Sequence, residues 1–472
     1  MTYMSSKIIN SVGIDVGTTT TQIIFSQLEL VNIAAISQVP NYEFIRKDVM
    51  YFSPVIFTPV DFEGNIRVQE LKQFIDMQYA QAGFSISDVE SGAIIITGET
   101  LKAKNARTTV MGLSEELGDF VVATAGPHLE SVISGHGSGA ADYSKQHSDC
   151  VLNIDIGGGT SNYAVFEAGK LVDTACLNVG GHLVELGADG QVSHLHKPAK
   201  LIFEDCFPEP VTRLNAVHID AIAQRMAQLI VEVIEGNISS LARSLLMTPE
   251  LKKKYSFNAI FISGGVGECY YRTGLSNFGD IGPQLAASLH QNDQLQQMPV
   301  MEPRHTLRAT VIGAGVHTLS LSGSTIWLNF GTLPIRNVPV LHPLGNELDT
   351  PQQLIAAWKA SATAHDIVPD MDCYALSIPA LFPVSYKSVQ FCSTALRLFM
   401  EQFPNSFFPL IITAKQNFGM ALGMELQPFM QHRELVVIDE VETREWDYID
   451  IGKGLFGDTV VPLTIKSLAF SS

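Results

Sequence analysis

VLNIDIGGGTSNYAVF, residues 151–166, joins two apolar runs through an acid and three glycines. Val151 to Ile156 predicts a buried strand carrying Asp155. Gly157, Gly158 and Gly159 permit a tight reversal, and Thr160 to Phe166 predicts the returning strand. Without Cβ atoms, the amides of such a turn can approach a polyphosphate closely. Asp155, just before the turn, is placed to hold a hydrated divalent cation against those phosphates. Taken alone, the stretch also reads as a Gly-rich hairpin that binds nothing.

A second copy changes the reading. Residues 12–25, VGIDVGTTTTQIIF, repeat the apolar strand, the acid (Asp15), a glycine (Gly17), a threonine cluster with Thr18 and Thr19, and a second strand. Two such hairpins imply two similar halves closing on one nucleotide. The pair resembles the phosphate-1 and phosphate-2 motifs of the actin, heat-shock chaperone and sugar kinase superfamily of ATPases. The expected fold is therefore α/β and actin-like, with two similar lobes around a nucleotide cleft.

The composition fits. A chain of 472 residues with 46% hydrophobic and 17% charged residues can bury several full-sized cores. A formal net charge of −18 argues against a nucleic-acid partner. The six cysteines are scattered without a CxxC pair and read as reduced core residues of a cytoplasmic protein. We expect neither a secretory leader nor a membrane span.

Between the hairpins, Val31–Val39 predicts a third strand, and residues 40–92 a small insertion containing a helix over Val68–Ala82 that stops at Gly83. Ala93–Ile96 predicts a short strand running to Glu99, with a helix from about Thr100. Asp119–Ala125 predicts another strand, and Gly126-Pro127 the start of a helix through Ile133. The tail SGHGSGA, residues 134–140, is either a close-packing surface or a flexible loop. In the superfamily the helix here, connect-1, packs on a partner, connect-2, which ATVIGAGV at residues 309–316 resembles.

Beyond the central hairpin, Lys170–Asn178 predicts a strand leading into Gly180-Gly181, a turn that the superfamily sets near the phosphates. His194 and His196 form an HxH pair with no identifiable third metal ligand. Val217–Ile234 is a strongly amphipathic helix. FNAIFISGGVGE, residues 257–268, resembles the superfamily's adenosine motif, which implies Gly264, Gly265 and Gly267 bordering the adenosine. The Walker, HExxH, GxSxG and protein-kinase patterns are absent.

Past Leu321, strand-like runs at Thr325–Phe330, Pro409–Thr413, Glu434–Asp439 and Val460–Leu468 alternate with helix-like runs at Gln352–His365, Ser388–Gln402 and Asn417–Met424. We expect an N-terminal lobe over 1–150, a second lobe over 151–323, and a C-terminal α/β extension over 324–472 packed on the second lobe. Glu440, Glu442, Glu445, Asp447 and Asp450 form an acidic run, either a solvated face or a partner surface.

GIDVGTTTTQIIFS, IIITGETLKAKNA, NIDIGGGTSNYAVF and NFGMALGMELQP resemble the EutA family of ethanolamine ammonia-lyase reactivating factors, along essentially the whole chain. That resemblance implies ATP-dependent removal of damaged cobalamin from the lyase. The implied ligands are ATP or ADP with Mg²⁺; the implied partner is ethanolamine ammonia-lyase, with cobalamin touched only indirectly. It implies a cytoplasmic home, with association with an ethanolamine-utilisation microcompartment open. Phosphoryl transfer needs a metal, a phosphate cradle and a positioned water. Asp15 and Asp155 are the metal candidates. Gly17, Thr18, Thr19 and Gly157 to Thr160 form the cradle, with Gly180 and Gly181 nearby. Chaperone relatives carry a Glu just before the connect-1 proline, whereas Ala125-Gly126 stand here. The water-orienting candidates are Glu99, which alternatively faces a helix dipole, and Glu130. A small-molecule kinase and an actin-like scaffold are the rival readings.

Overall fold

The computed structural model describes residues 6–468 apart from 18–19, 33–41, 62–64, 90, 98–108, 110–111, 114–116, 118–119, 188–190, 208–213, 273–278, 307–315, 330–334, 345–347, 418, 431–432 and 453–459. Two sheets of one design dominate it. In the first, β1 (Ser6–Val16), β2 (Thr20–Asn32) and β3 (Tyr42–Phe52) form an antiparallel meander, with β4 (Ile56–Phe57) beside β2. The parallel strands β5 (Ser91–Thr97) and β6 (Phe120–Ala125) continue from β1. In the second, β7 (Cys150–Ile156), β8 (Ser161–Glu167) and β9 (Lys170–Leu177) form the same meander. A small ribbon of β10 (Val184–Leu186) and β11 (Val192–Leu195) follows. Parallel strands β12 (Ala259–Ser263) and β13 (Val300–Met301) then extend from β7. The actin-like pair of lobes expected from the two hairpins is thus seen as two sheets with the same strand order.

Several local expectations hold and some shift. Helix α1 (Val68–Ala82) ends at Gly83 with φ 76°, the left-handed stop that glycine adopts without strain. The third strand is Tyr42–Phe52, not Val31–Val39: Val31 and Asn32 extend β2, and residues 33–39 lie outside the described set. Period-two alternation in β5 explains its burial on both faces. Ile94 and Ile96 pack with Leu71 and Ile75 of α1, whereas Ala93 and Ile95 face the opposite layer.

That opposite layer is helix α2 (Pro127–Gly137), which runs into the small-residue tail as far as Gly137. Gly139, with φ 92°, then redirects the chain into α3 (Ala140–His147). The tail is a packing surface: a Cβ on Gly135 would lie 2.6 Å from the Phe166 ring of β8. Among the described residues its neighbours are β8 and Arg304, whose N–H donates to Ser138 O at 3.0 Å. Residues 309–315 of the expected connect-2, Gly313 and Ala314 among them, lie outside that set, and Val316 opens a strand. On its other side α2 buries Leu129, Val132 and Ile133 against the first sheet and against Ala364, Trp446, Tyr448 and Leu468 of the C-terminal unit. One helix therefore touches all three parts of the chain.

Helices α4 (Ala216–Glu235), α5 (Gly264–Tyr271) and α6 (Gly282–His290) cover the far face of the second sheet. The C-terminal unit is a closed barrel. Its strands are β14 (Val316–Asn329), β15 (Ile335–Leu341), β16 (Ala375–Ile378), β17 (Leu410–Ala414), β18 (Leu435–Ile438), β19 (Asp447–Ile451) and β20 (Val460–Leu468). β15 to β18 run parallel, linked through α7 (Pro351–Ala364), α8 (Tyr386–Gln402) and α9 (Gly419–Leu426). Alternation divides their side chains: Val340, Ile411 and Val436 fill the barrel, whereas Leu341, Ile412 and Val437 meet the helices. The barrel begins at Val316, ahead of the residue 324 expected for this unit.

The acidic run is neither a solvated face nor a free surface throughout. Asp447 and Asp450 lie on β19; Asp447 is buried and accepts from Ser467, and Asp450 pairs with the buried Lys466 at 2.6 Å. Glu442 pairs with the exposed Lys415 at 2.7 Å.

Candidate nucleotide site

The two hairpins match atom for atom where chemistry is expected. Gly17 N–H donates to Thr20 O at 2.9 Å, and Gly157 N–H to Thr160 O at 3.0 Å. Strand register sets an amide side chain across from each acid: Gln22 opposite Asp15, Asn162 opposite Asp155. The parallel neighbour strand adds a hydroxyl. Thr97 Oγ1 lies 3.4 Å from Asp15 Oδ1, and Ser263 Oγ donates to Asp155 Oδ1 at 2.6 Å.

None of Gly157, Gly158 and Gly159 adopts a positive φ. A Cβ at Gly157 would meet nothing nearer than 3.9 Å, and one at Gly159 nothing within 4 Å. Neither backbone strain nor internal packing calls for glycine there. The turn faces open space, which suits phosphate oxygens brought against bare amides. Gly180 and Gly181 back the turn: Gly181 N–H donates to Gly157 O at 3.0 Å, and His182 N–H to Gly158 O at 2.7 Å. The His182 ring faces Phe57 of the first lobe, centroids 6.1 Å apart, and its Nδ1 lies 3.4 Å from Asp280. The HxH pair has its own partner: His196 Nε2 sits 2.7 Å from Glu185.

Gly264 is required by the backbone. Its φ is 86°, and a Cβ would lie 2.4 Å from Ile156 O, so the chain passes directly from β12 into α5 beside Asp155. Gly267 likewise packs on Ile262 O, 2.8 Å from where its Cβ would be. Gly265 follows in the first turn of α5.

Glu130, in the first turn of α2, completes an acidic cluster. Burial pushes Asp15 up to about 7, with the charge of Asp155 adding to the rise and hydrogen bonds with Gln22 and Thr97 opposing it. Burial takes Asp155 to about 6, against the bond from Ser263. Removal from water raises Glu130 well above the usual carboxylate range, and Asp155, Asp15 and Asp366 raise it further; Asn162 opposes them. Asp366, from the C-terminal unit, is pushed up to about 7 by burial, against the amides of Leu129 and His128. Among the described residues no lysine or arginine enters these shifts. Asp15, Asp155 and Glu130, without a basic counter-charge, suit a divalent cation, whereas both oxygens of Asp366 are taken by the amides of His128 and Leu129. Among the described residues no three His, Cys, Asp or Glu side chains gather closely enough to cage one. That donor set fits a hydrated Mg²⁺, which keeps most of its waters and takes few carboxylates.

The structure thus brings together Asp15, Asp155, Glu130, Gly17 and the Gly157–Thr160 turn. Glu99, Thr18 and Thr19 lie outside the described residues. Gln22, Asn162, Thr97, Ser263 and Asp366 join the site without a motif of their own in the sequence. The first two were within reach, because pairing the hairpins at their turns places both amides opposite the acids.

A family model described as "Ethanolamine utilisation protein EutA" matches residues 7–471. "Ethanolamine ammonia-lyase reactivase EutA" of Salmonella typhimurium is 53% identical over 473 residues, 99% of this chain and 100% of that protein. The protein of the same name from Escherichia coli is also 53% identical, with the same coverage. Among solved structures, the activator of the 2-hydroxyisocaproyl-CoA dehydratase from Clostridium difficile with bound ADPNP superposes with a TM-score of 0.35 at 9% identity, covering 65% of this chain and 92% of that one.

Proposed function

The chain belongs to the EutA family, and on that premise we propose that it is an ATP-dependent reactivating factor for ethanolamine ammonia-lyase. It binds the inactivated lyase and frees damaged cobalamin so that intact adenosylcobalamin can enter. One observation carries the nucleotide part of this reading: two matching hairpins present an open glycine turn and two uncompensated acids to one cleft.

In this proposal Gly17, Thr18, Thr19 and Gly157 to Thr160 hold the phosphates, and Gly264, Gly265 and Gly267 border the adenosine. Gly180 and Gly181 keep the second turn in place. Asp15 and Asp155 hold Mg²⁺ through its water shell. The ion, when bound, neutralises charge on the phosphates. Glu130 orients the attacking water and takes up its proton as the bond from the terminal phosphorus to the ADP oxygen breaks, leaving ADP and phosphate. Asn162, which bonds Glu130, fixes its direction. Glu99, the first candidate from the sequence, is the alternative for that water. Lobes whose preferred angle differs between ATP and ADP then convert hydrolysis into work on the partner. The protein acts in the cytoplasm, and its association with an ethanolamine-utilisation microcompartment belongs to the same proposal.

The deciding experiment mixes the purified chain with lyase inactivated by cyanocobalamin. Addition of ATP and Mg²⁺ is expected to release the cyanocobalamin and restore activity on adding adenosylcobalamin. Release that is equal without nucleotide, or no release at all, overturns the proposal.

A further inference from the structure

The end of α7 aims at the start of α2. Helix α7 closes with Asp366 N–H donating to Thr363 O and Ile367 N–H to Ala362 O, at 3.0 and 2.8 Å. This stop needs a left-handed residue, and Asp366 has φ 54° where glycine is the usual choice. What the chain gains by forgoing glycine is a carboxylate. Its Oδ1 accepts from His128 N–H at 3.2 Å and its Oδ2 from Leu129 N–H at 2.6 Å. Those are two of the amides that the first turn of a helix leaves without a partner, and none of α2's own side chains caps them. The carboxylate sits at the positive end of α2, where dipole and free amides both favour it, and this outweighs its place beside the negative end of α7.

Asp366 lies far from the phosphate turns in sequence and belongs to the barrel unit. The residue after Leu129 is Glu130, so the clamp grips the turn of α2 that faces Asp15 and Asp155. We propose that Asp366 is a positioning residue that ties the barrel unit to the nucleotide cleft, so that movement of Glu130 during ATP turnover is passed to the barrel. The inference rests on reading the cleft as a nucleotide site. Because α2 also buries Trp446 and Tyr448 of the barrel, the clamp and the apolar contact move together. A shift of α2 has two handles on the third unit, and only one of them is polar.

The test uses the full-length Asp366→Gly variant, which keeps the left-handed stop comfortable and removes only the carboxylate. Three readouts are needed: ATP affinity by calorimetry, phosphate release, and cyanocobalamin freed from the lyase. We expect ATP affinity to stay within about threefold, and cyanocobalamin freed per ATP hydrolysed to fall at least roughly tenfold. Hydrogen exchange gives a readout that a purely structural cap does not move. In the wild type, ATP with Mg²⁺ should change exchange across residues 361–372; in the variant that response should vanish. ATP binding with no response at 361–372 in the wild type, or an unchanged release-to-hydrolysis ratio in the variant, overturns the clamp and leaves the nucleotide site standing. Failure of the wild type to bind ATP removes both.

Discussion

Gly126 and Asp366 share one small volume: a Cβ added at residue 126 would lie 2.5 Å from Asp366 Cγ and 2.7 Å from Oδ1. The glycine ahead of Pro127 is there for a neighbour from another part of the chain. Gly126→Ala should therefore destabilise the protein by about 1–3 kcal/mol, the usual cost of overpacking. In an Asp366→Gly background the same substitution should cost under about 0.5 kcal/mol, because the space is free. Urea unfolding of the four proteins measures both; equal costs in the two backgrounds would refute the steric reading.

Asp155→Ala should weaken binding of Mg²⁺ and ATP at least about tenfold, roughly 1.4 kcal/mol, through loss of the acid nearest the open turn. Asp15→Ala should do the same, since its hairpin is the structural twin. Calorimetry with and without Mg²⁺ separates the metal-dependent share. A folded variant that binds as before excludes that acid from the site.

Glu130→Gln keeps shape and hydrogen bonding but cannot take a proton. ATP affinity should be retained while phosphate release falls about 10²- to 10⁴-fold. If Glu99→Gln reproduces this and Glu130→Gln does not, the water belongs to Glu99.

The acidic cluster also sets a pH dependence. Asp15 and Asp366 are raised from 3.8 to about 7 and Asp155 to about 6, so the folded state holds protons that the unfolded chain releases. Stability from these groups is complete below about pH 4 and is lost as pH rises through 6 to 7. Nucleotide-free protein should melt at falling temperature across that window, and Mg²⁺ with ATP should flatten the slope by favouring ionised Asp15 and Asp155. A slope that rises with pH in the nucleotide-free protein, tracked by calorimetry, contradicts the assignment.

Lys466 and Asp450 test the barrel. Lys466 is nearly inaccessible, so Asp450→Ala strands a buried ammonium and should cost about 3–5 kcal/mol in stability.

What could be read in the sequence was what local pattern encodes. Both hairpins, α1 with its Gly83 stop, and the strand running into Gly264 follow from periodicity and glycine placement. The barrel did not. Its central parallel strands are short, Ala375–Ile378 having four residues, and β19 carries two acids that resemble surface until their partners Ser467 and Lys466 are known. Asp366 left no local signal, since its meaning lies in amides at His128 and Leu129, and a Gly-Pro pair looks like any helix start. Glu130 was visible as a first-turn acid, but the acids around it are set by how the sheets and the barrel pack.

The closed barrel has a consequence for recognition. β16 to β20 each pair on both sides, so they offer no row of backbone amides and carbonyls to an incoming chain. A partner meeting those strands must do so through side chains and loops. The open sheets do offer such a row: β3 forms the outer margin of the first lobe along Tyr42–Phe52, where a partner's strand could add.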